Sequence, residues 1–577
     1  MADTRAIAPG DRPRIRHNDY SPLIPPPLGE WTPALTVSVV IPAYGHQDRL
    51  DLTLASLAAQ TYPAELMEVI VVDDGSRPAL RLPAIRPPGT RLMTAPDDGW
   101  GASHALNTGA GAASGDVVQR LDADMVICRE HIEALMRWHH LTDQVVTIGG
   151  KVFAEEPPLT PERVRDAVAA GELDALFDMS RAVPSSTEAT IRRLDGLRAS
   201  KNPYHVCTGP TVSFRRELFH RVGGFDPEVR RGQDTEFAYR LAMSGAVFVP
   251  DLDARAVHLG LPAQRVDGDA IVRVVTPYLA HRVPLRRDLR KEPGRNWLVP
   301  YVEIVLDAAG ATEPEARAAV TAALTGTVPD VRVTLVAPWP DDSRHPVLGD
   351  PANELRLIQS NFRHDPAVHL ALAPTPDPSP IPFRYTGPID IPLSPRTLQS
   401  MIKLMTEERA GLLITTHPDG RPSRLERTDA INRARLLATP TDPIDEVITQ
   451  THGVLHPPQP ASGPPPPPHP PPTPPHPRTP PAASASPYAA ADPSPGHRLP
   501  PFALRRSQHS RRRDGGTWYG ETGAVVRRAT RCARAPGETV LAKGALRAEA
   551  ARAVLLRGTP PHPRSCRAHR APPQHVP

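Results

Sequence analysis

Asp122 and Asp124 flank a single alanine at the end of the apolar run GDVVQRL, and that spacing can do chemistry. In an extended segment, residues two apart point to the same side, so both carboxylates can face one ligand. Paired hard oxygen donors suit Mg²⁺ or Mn²⁺ that also touches a diphosphate. Asp73 and Asp74 close a second apolar run, EVIVV, with Gly75 able to turn the chain and Ser76 able to cap a helix. A carboxylate there can accept hydrogen bonds from a nucleobase N–H or from ribose hydroxyls; on its own it is more often a turn residue. Asp234 follows Arg231 and Gly232 and opens an amphipathic segment carrying Phe237, Tyr239 and Leu241. It reads either as a helix cap or as a general base that takes a proton from an attacking hydroxyl. His258, in AVHLG, reads either as a satisfied structural imidazole or as a nitrogen ligand completing a divalent-metal shell.

A scaffold has to gather these groups. From Thr36, TVSVVIP is a β-branched run of the kind that forms a buried strand, with a turn at 43–45. Residues 51–60 place Leu52, Ala55, Leu57 and Ala59 near one helical face, and MEVIVVDDGS is a second buried strand. Strand, helix and strand in so short a span make a right-handed βαβ unit, so the spacing predicts a parallel sheet. GDVVQRLDADMVI repeats the theme of a strand ending in carboxylates. Ligands of open parallel sheets bind beyond the carboxyl ends of the strands, where both acidic clusters fall. This domain is expected to close near residue 265.

A second run begins at Trp297, after a linker over 266–296. WLVPYVEIVLDAAGATEPEARAAVTAALTGTVPDVRVTLVAPWP has the strand–turn–helix–strand rhythm of the segment from Thr36 to Ser76, and reads as a diverged internal repeat over 297–450. Where the first copy ends its second strand in Asp73 and Asp74, the second ends in Ala337, Pro338 and Trp339. The repeat keeps the fold signal and lacks the chemistry.

Composition narrows the rest. The 577 residues include 74 Pro and 38 Gly, so they cannot all be packed core. Residues 1–35, rich in Pro, Arg and Asp without periodicity, read as an extended lead-in. Of the 50 residues at 451–500, 20 are Pro, which predicts polyproline II or disorder. Residues 501–577 hold 16 Lys and Arg against 4 Asp and Glu. This tail therefore carries +12 of a chain total of +4, and residues 1–500 carry −8. A pI of 8.9 belongs to the tail and is poor evidence for binding nucleic acid. The tail suits either a basic disordered arm or an out-of-frame reading of a GC-rich gene; 451–577 receives no function. The cysteines (Cys128, Cys207, Cys532, Cys566) show no CxxC pairing, which fits a reducing cytoplasm. No signal peptide or spanning helix is expected, and peripheral attachment to the inner face of a membrane stays open.

In this order and spacing, VVIPAYG, IVVDDGS, RLDADM, GGFDPE, GQDTEF and AVHLG resemble the family 2 glycosyltransferases of the GT-A fold. The resemblance covers about 36–265. It implies an α/β, Rossmann-like nucleotide-diphospho-sugar transferase domain, followed by a diverged second GT-A-like α/β domain. It also implies that Pro42, Ala43, Tyr44, Asp73, Asp74 and Asp122 hold the nucleotide, and that Asp124, with His258, holds Mn²⁺ or Mg²⁺. Asp234 maps to the catalytic base. The implied partners are a nucleotide-sugar donor, with UDP the family's commonest nucleotide, and a saccharide or other hydroxyl acceptor. Two departures stand out. Gln233 replaces the Glu of the family's Glu-Asp pair, and Leu106 in GASHALNTG replaces an Arg expected to contact the donor. The Q/RxxRW motif of processive membrane synthases is absent after GQDTEF, so a cellulose- or hyaluronan-type polymerase is not expected.

Three other readings compete. A non-catalytic nucleotide-sugar or carbohydrate binder on the same scaffold would not need Asp234 as a base. A sugar nucleotidyltransferase would want a Gly-rich phosphate loop after the first strand, which AYGHQDR is not. A dinucleotide-dependent oxidoreductase would want GxGxxG there, and it is missing.

Overall fold

The computed structural model describes residues 7–260, 267–292, 295–341 and 343–457. β1 (Val37–Ala43) and β2 (Met67–Asp73) are parallel, with Val37 opposite Met67 and Ala43 opposite Asp73, and both are almost wholly buried. Their side chains alternate between two cores, as a strand covered on both faces requires. Val40, Ile70 and Val72 pack with Ala105 and Leu106 of the helix Ala102–Gly111 and with Phe237 of the helix Gln233–Met243. Val39, Ile41, Val69 and Val71 pack with Leu50, Leu54 and Leu57 of the helix Gln47–Leu57. That helix starts at Gln47 rather than near 51, because left-handed Gly45 and His46 turn the chain early.

β3 (Thr90–Thr94) and β4 (Val117–Arg120) extend this sheet on either side. β5 (Met125–Ile127), β7 (Val152–Ala154), β8 (Val183–Pro184) and β11 (Ala256–Leu259) form a smaller sheet in the order β5-β11-β7-β8. β6 (Val145–Gly149), β9 (Val212–Arg215) and β10 (Val247–Asp251) complete the main sheet. Its order is β3-β2-β1-β4-β9-β6-β10, and β9 alone runs against its neighbours.

The repeat expected from Trp297 is a second seven-stranded sheet of the same design. Its strands are β12 (Val302–Asp307), β13 (Val331–Val336), β14 (Val368–Ala371), β15 (Phe383–Gly387), β16 (Leu412–Thr416), β17 (Pro422–Arg427) and β18 (Val454–Leu455). They lie in the order β14-β13-β12-β15-β17-β16-β18, and β17 alone is antiparallel to its neighbours. Strand for strand, order and direction match the first sheet. Where Asp73 and Asp74 end β2, Ala337 and Pro338 follow β13. Register places Asp390 where the first copy has Asp124, counting from the equivalent residues Phe383 and Val117. Its carboxylate is taken by Arg421, at 2.6 and 2.7 Å.

Three expected boundaries change. The lead-in is packed: Ile15, Tyr20 and Leu23 are buried against Val145, Val247 and Val249. Within it, Arg12 pairs with Asp143 of the first domain at 2.7 Å, while Arg14 pairs with Asp442 of the second at 2.8 Å. Its proline and arginine content hid a strap whose contacts lie far off in sequence. The linker contains a helix, Gly268–Arg282, which carries Pro277. The second domain runs past 450, since β18 joins its sheet and His452 is buried. The rest of the 451–577 tail, from residue 458 on, lies outside the described residues.

Candidate functional site

The ends of β1, β2 and β4 frame a cavity of about 320 Å³ lined by Pro42, Ala43, Tyr44, Asp74, Asp122 and Asp124, with Arg49, Arg120 and Gln233 at its edges. The β1 and β2 turns are tied to one another: Asp74 N–H donates to Ala43 O at 2.9 Å, and Gly45 N–H to Ser76 Oγ at 2.8 Å. The Asp74 carboxylate accepts the Gly101 N–H at 2.7 Å and so fixes the entry to the helix Ala102–Gly111. Tyr44 is left largely exposed beside it.

Asp73 has a different place from the one its sequence suggested. It is buried, with Oδ1 accepting the Ser76 N–H at 2.8 Å and Oδ2 the Leu80 N–H at 3.0 Å. Burial alone would raise its pKa, but the hydrogen bonds from Ser76, Leu80 and Gly75 outweigh that and hold it below the usual carboxylate range. It shapes the turn that carries Asp74 and does not line the cavity. Leu106 likewise points into the core.

Asp122, Asp124 and His258 each offer a ligand atom, and these atoms lie within 4.8 Å of one another. Backbone pairing assembles them. β11 runs antiparallel to β5 with His258 opposite Met125, and Leu259 N–H donates to Asp124 O at 2.9 Å. His258 Nε2 is thereby 3.6 Å from Asp124 Oδ1, and its ring rests against Phe153 with centroids 5.0 Å apart. Burial, reinforced by Asp122, pushes the Asp124 pKa up. A carboxylate crowded in this way gains most from a cation placed between it and its neighbour. Two carboxylates and an imidazole are a donor set that fits Mn²⁺ or Mg²⁺.

Asp234 sits at the start of the helix Gln233–Met243, reached through Gly232 at φ +86°. Any Cβ at Gly232 would also come within 3.1 Å of Val275, so both the backbone and the packing need glycine here. The Asp234 carboxylate is ion-paired with Arg120 Nη1, while Nη2 of the same guanidinium binds Asp122 at 3.0 Å. Arg120 is almost fully buried and ties Asp234 to the Asp122–Asp124 pair. Sequence reading missed it, although it is the last residue of β4 and two positions before Asp122, a spacing that puts both on one side of an extended chain.

Two more cations were missed. Arg49 bridges Glu156 at 2.9 Å and Asp124 at 3.9 Å. Lys151, just after β6, donates to Thr208 O at 2.7 Å, and burial lowers its pKa to about 8 although Asp122 opposes the shift. Neither sits in a motif that sequence alone would flag.

The family described as Glycosyl transferase family 2 matches residues 38–223, the stretch that holds β1 to β9 and both acidic clusters. The N-terminal domain belongs to glycosyl transferase family 2. Its sheet has the GT-A arrangement.

The family 2 domain has curated relatives that extend into the second sheet as well. The chain is 27% identical over 358 residues to the chondroitin synthase of Escherichia coli, covering 58% of this chain and 50% of that protein. It is 26% identical over 359 residues to the hyaluronan synthase of Pasteurella multocida, covering 59% of this chain and 35% of that one. The chain thus spans half or less of the length of these relatives. Among solved structures, a mannosyltransferase from Pyrobaculum calidifontis in complex with GDP-Man and Mn²⁺ is similar at 20% identity and a TM-score of 0.29. That match covers 46% of this chain and 67% of the other. No helix among the described residues is long and apolar enough to cross a membrane.

Proposed function

We propose that the family 2 domain is an inverting glycosyltransferase that moves a sugar from a nucleotide-diphospho-sugar, with UDP the favoured nucleotide, to a hydroxyl acceptor. The observation that supports this most strongly is the Arg120 bridge, which puts Asp234 beside the Asp122, Asp124 and His258 cluster. A non-catalytic binder would have no use for a carboxylate held there.

Asp122, Asp124 and His258 would hold a divalent cation, Mn²⁺ or Mg²⁺. Bound there, such a cation supplies Lewis-acid stabilisation of the charge that grows on the leaving diphosphate. Asp74 and Tyr44 stand at the cavity wall where the nucleoside would lie. Asp234 takes the proton from the acceptor hydroxyl as its oxygen bonds to the anomeric carbon and the bond to the diphosphate breaks. Attack opposite the leaving group inverts that carbon. Arg120 acts as a positioning residue, since its two pairs set the distance between base and donor. The second domain keeps the sheet and lacks the acidic clusters, so it is proposed as a scaffold.

The test is hydrolysis and transfer with a panel of nucleotide sugars in Mn²⁺, Mg²⁺ or EDTA. Turnover of one donor that disappears with chelator supports the reading; metal-independent turnover, or binding without turnover of any donor and acceptor tried, overturns it.

A further inference from the structure

Between the two domains lies a second cavity, of about 220 Å³, at the opposite end of the helix Gln233–Met243 from Asp234. Its walls come from the segment after Ala199, from the end of the helix Gln233–Met243, from the strap at His17, and from the second domain. The charge facing it is one-sided. Lys201, Arg409, Arg427 and Arg433 line it, and Asp429 is the single carboxylate among the lining residues. Asp429 is spent on Arg427, at 2.6 Å.

The other three cations have neutral partners. Arg433 donates to the carbonyls of Gly245 and Ala246, each at 2.8 Å. Lys201 Nζ donates to Thr406 O at 3.1 Å and Arg409 Nη2 to Ser200 O at 3.1 Å. Among the described residues, none of these three has a carboxylate within ion-pair distance. Carbonyls satisfy hydrogen bonds without cancelling charge, so the cavity keeps an excess of about three positive charges. Neighbouring groups register the field: burial and the arginines, Arg409 first, push His17 down to about 4. A more open recess of about 300 Å³ shares His17 and Arg409 and adds Arg16 and Arg198 together with Asp19 and Asp195, of which Asp195 pairs with Arg198 at 3.0 Å.

We propose that this cavity binds a small phosphate-class oxyanion, held by Arg409 and Lys201, which pins the two domains together. Guanidinium groups match phosphate oxygens with paired hydrogen bonds, and Lys201 adds a point charge. The volume of about 220 Å³ has room for a phosphate or diphosphate. Lys201 belongs to the first domain and Arg409 to the second, so an anion between them stabilises the folded arrangement by mass action. The source is either inorganic phosphate or the diphosphate moiety of a nucleotide.

The test is calorimetric titration and thermal unfolding of the full chain in EDTA, with phosphate, pyrophosphate or UDP. EDTA suppresses cation-dependent binding at the acidic cluster. Saturable binding of pyrophosphate with a rise in Tm is expected, unchanged in Asp124→Asn and weakened about tenfold or more in Arg409→Gln and in Lys201→Gln. The relative affinity of pyrophosphate and UDP then names the source, and either order supports the site. Absence of saturable binding by all three anions, or equal binding in the wild type and Lys201→Gln, overturns the proposal. The exposed Lys201 variant keeps the test valid if Arg409→Gln fails to fold. No readout depends on glycosyl transfer, so this proposal and the enzymatic one fail separately.

Discussion

The guanidinium of Arg120 is ion-paired with the carboxylate of Asp234, which the chain reaches only at the start of the helix Gln233–Met243. As the proposed base, Asp234 held in this way has its direction set before any substrate arrives, with its second carboxylate oxygen outside the ion pair. Asp234→Asn keeps the shape and a hydrogen-bond acceptor while removing the base. Its kcat is expected to fall about 10²–10⁴-fold with donor affinity nearly unchanged. A normal kcat in steady-state assays would remove Asp234 from the mechanism.

Arg120→Gln separates positioning from proton transfer. Because Asp122 and Asp234 share this cation, its loss should lower kcat and also weaken donor binding, whereas Asp234→Asn lowers kcat alone. Parallel steady-state kinetics and donor titrations of the two variants would show whether the effects differ in kind.

Removal of one group from the Asp122, Asp124 and His258 cluster should weaken Mn²⁺ binding. His258→Ala is expected to cost at least about tenfold in affinity, roughly 1.4 kcal/mol, and Asp124→Asn more, because it also removes charge. Calorimetry with Mn²⁺ alone reads this without any substrate. Equal affinity in all three proteins would place the cation elsewhere.

The contact between the domains has a test in Gly245. It sits at φ +93°, and a Cβ there would come within 2.6 Å of the Arg433 backbone nitrogen across the interface. Gly245→Ala therefore combines backbone strain with a clash against main chain that cannot swing away. A loss of about 1–3 kcal/mol is expected, measured as a lower urea midpoint.

Acid should destabilise the first domain before its carboxylates titrate. His131 is fully buried, with Nδ1 bonded to Arg255 O at 3.1 Å and Nε2 without a hydrogen-bond partner among the described residues. Burial lowers its pKa to about 4 from an ordinary 6.5. The folded protein therefore binds fewer protons than the unfolded chain between those values. Stability is full above about 6.5, declines as pH falls, and stops declining from this cause near 4. The loss from this ring is about 3 kcal/mol at most. In His131→Phe, urea unfolding between pH 7 and 4 should show a shallower decline; an identical slope would assign the effect to other groups.

Local pattern carried β1, β2 and β4 of the first sheet and β12 and β13 of the second, the acidic ends of β2 and β4, and the glycine before Asp234. Each depends on residue type and short-range spacing, which a chain displays directly. The second sheet was legible as a repeat because buried strands and the helices between them constrain composition even after their chemistry has gone. The packed strap at Ile15 and Tyr20 was not, because its partners are distant in sequence and its own residues show no period. The structural role of Asp73 was hidden as well. Neighbouring carboxylates look alike in sequence, and only the fold of the 74–80 turn decides which one faces the cavity.

Sequence by itself determined which side chains carry charge and which strand ends they occupy, because apolar runs and the residues that end them are local features. Tertiary structure alone decided that Arg120 lies between Asp122 and Asp234, that β11 brings His258 to Asp124, and that Lys201 and Arg409 line one cavity from different domains. Those meetings depend on strand register and domain packing, which sum weak contacts over the whole molecule, and no local stretch of residues encodes them.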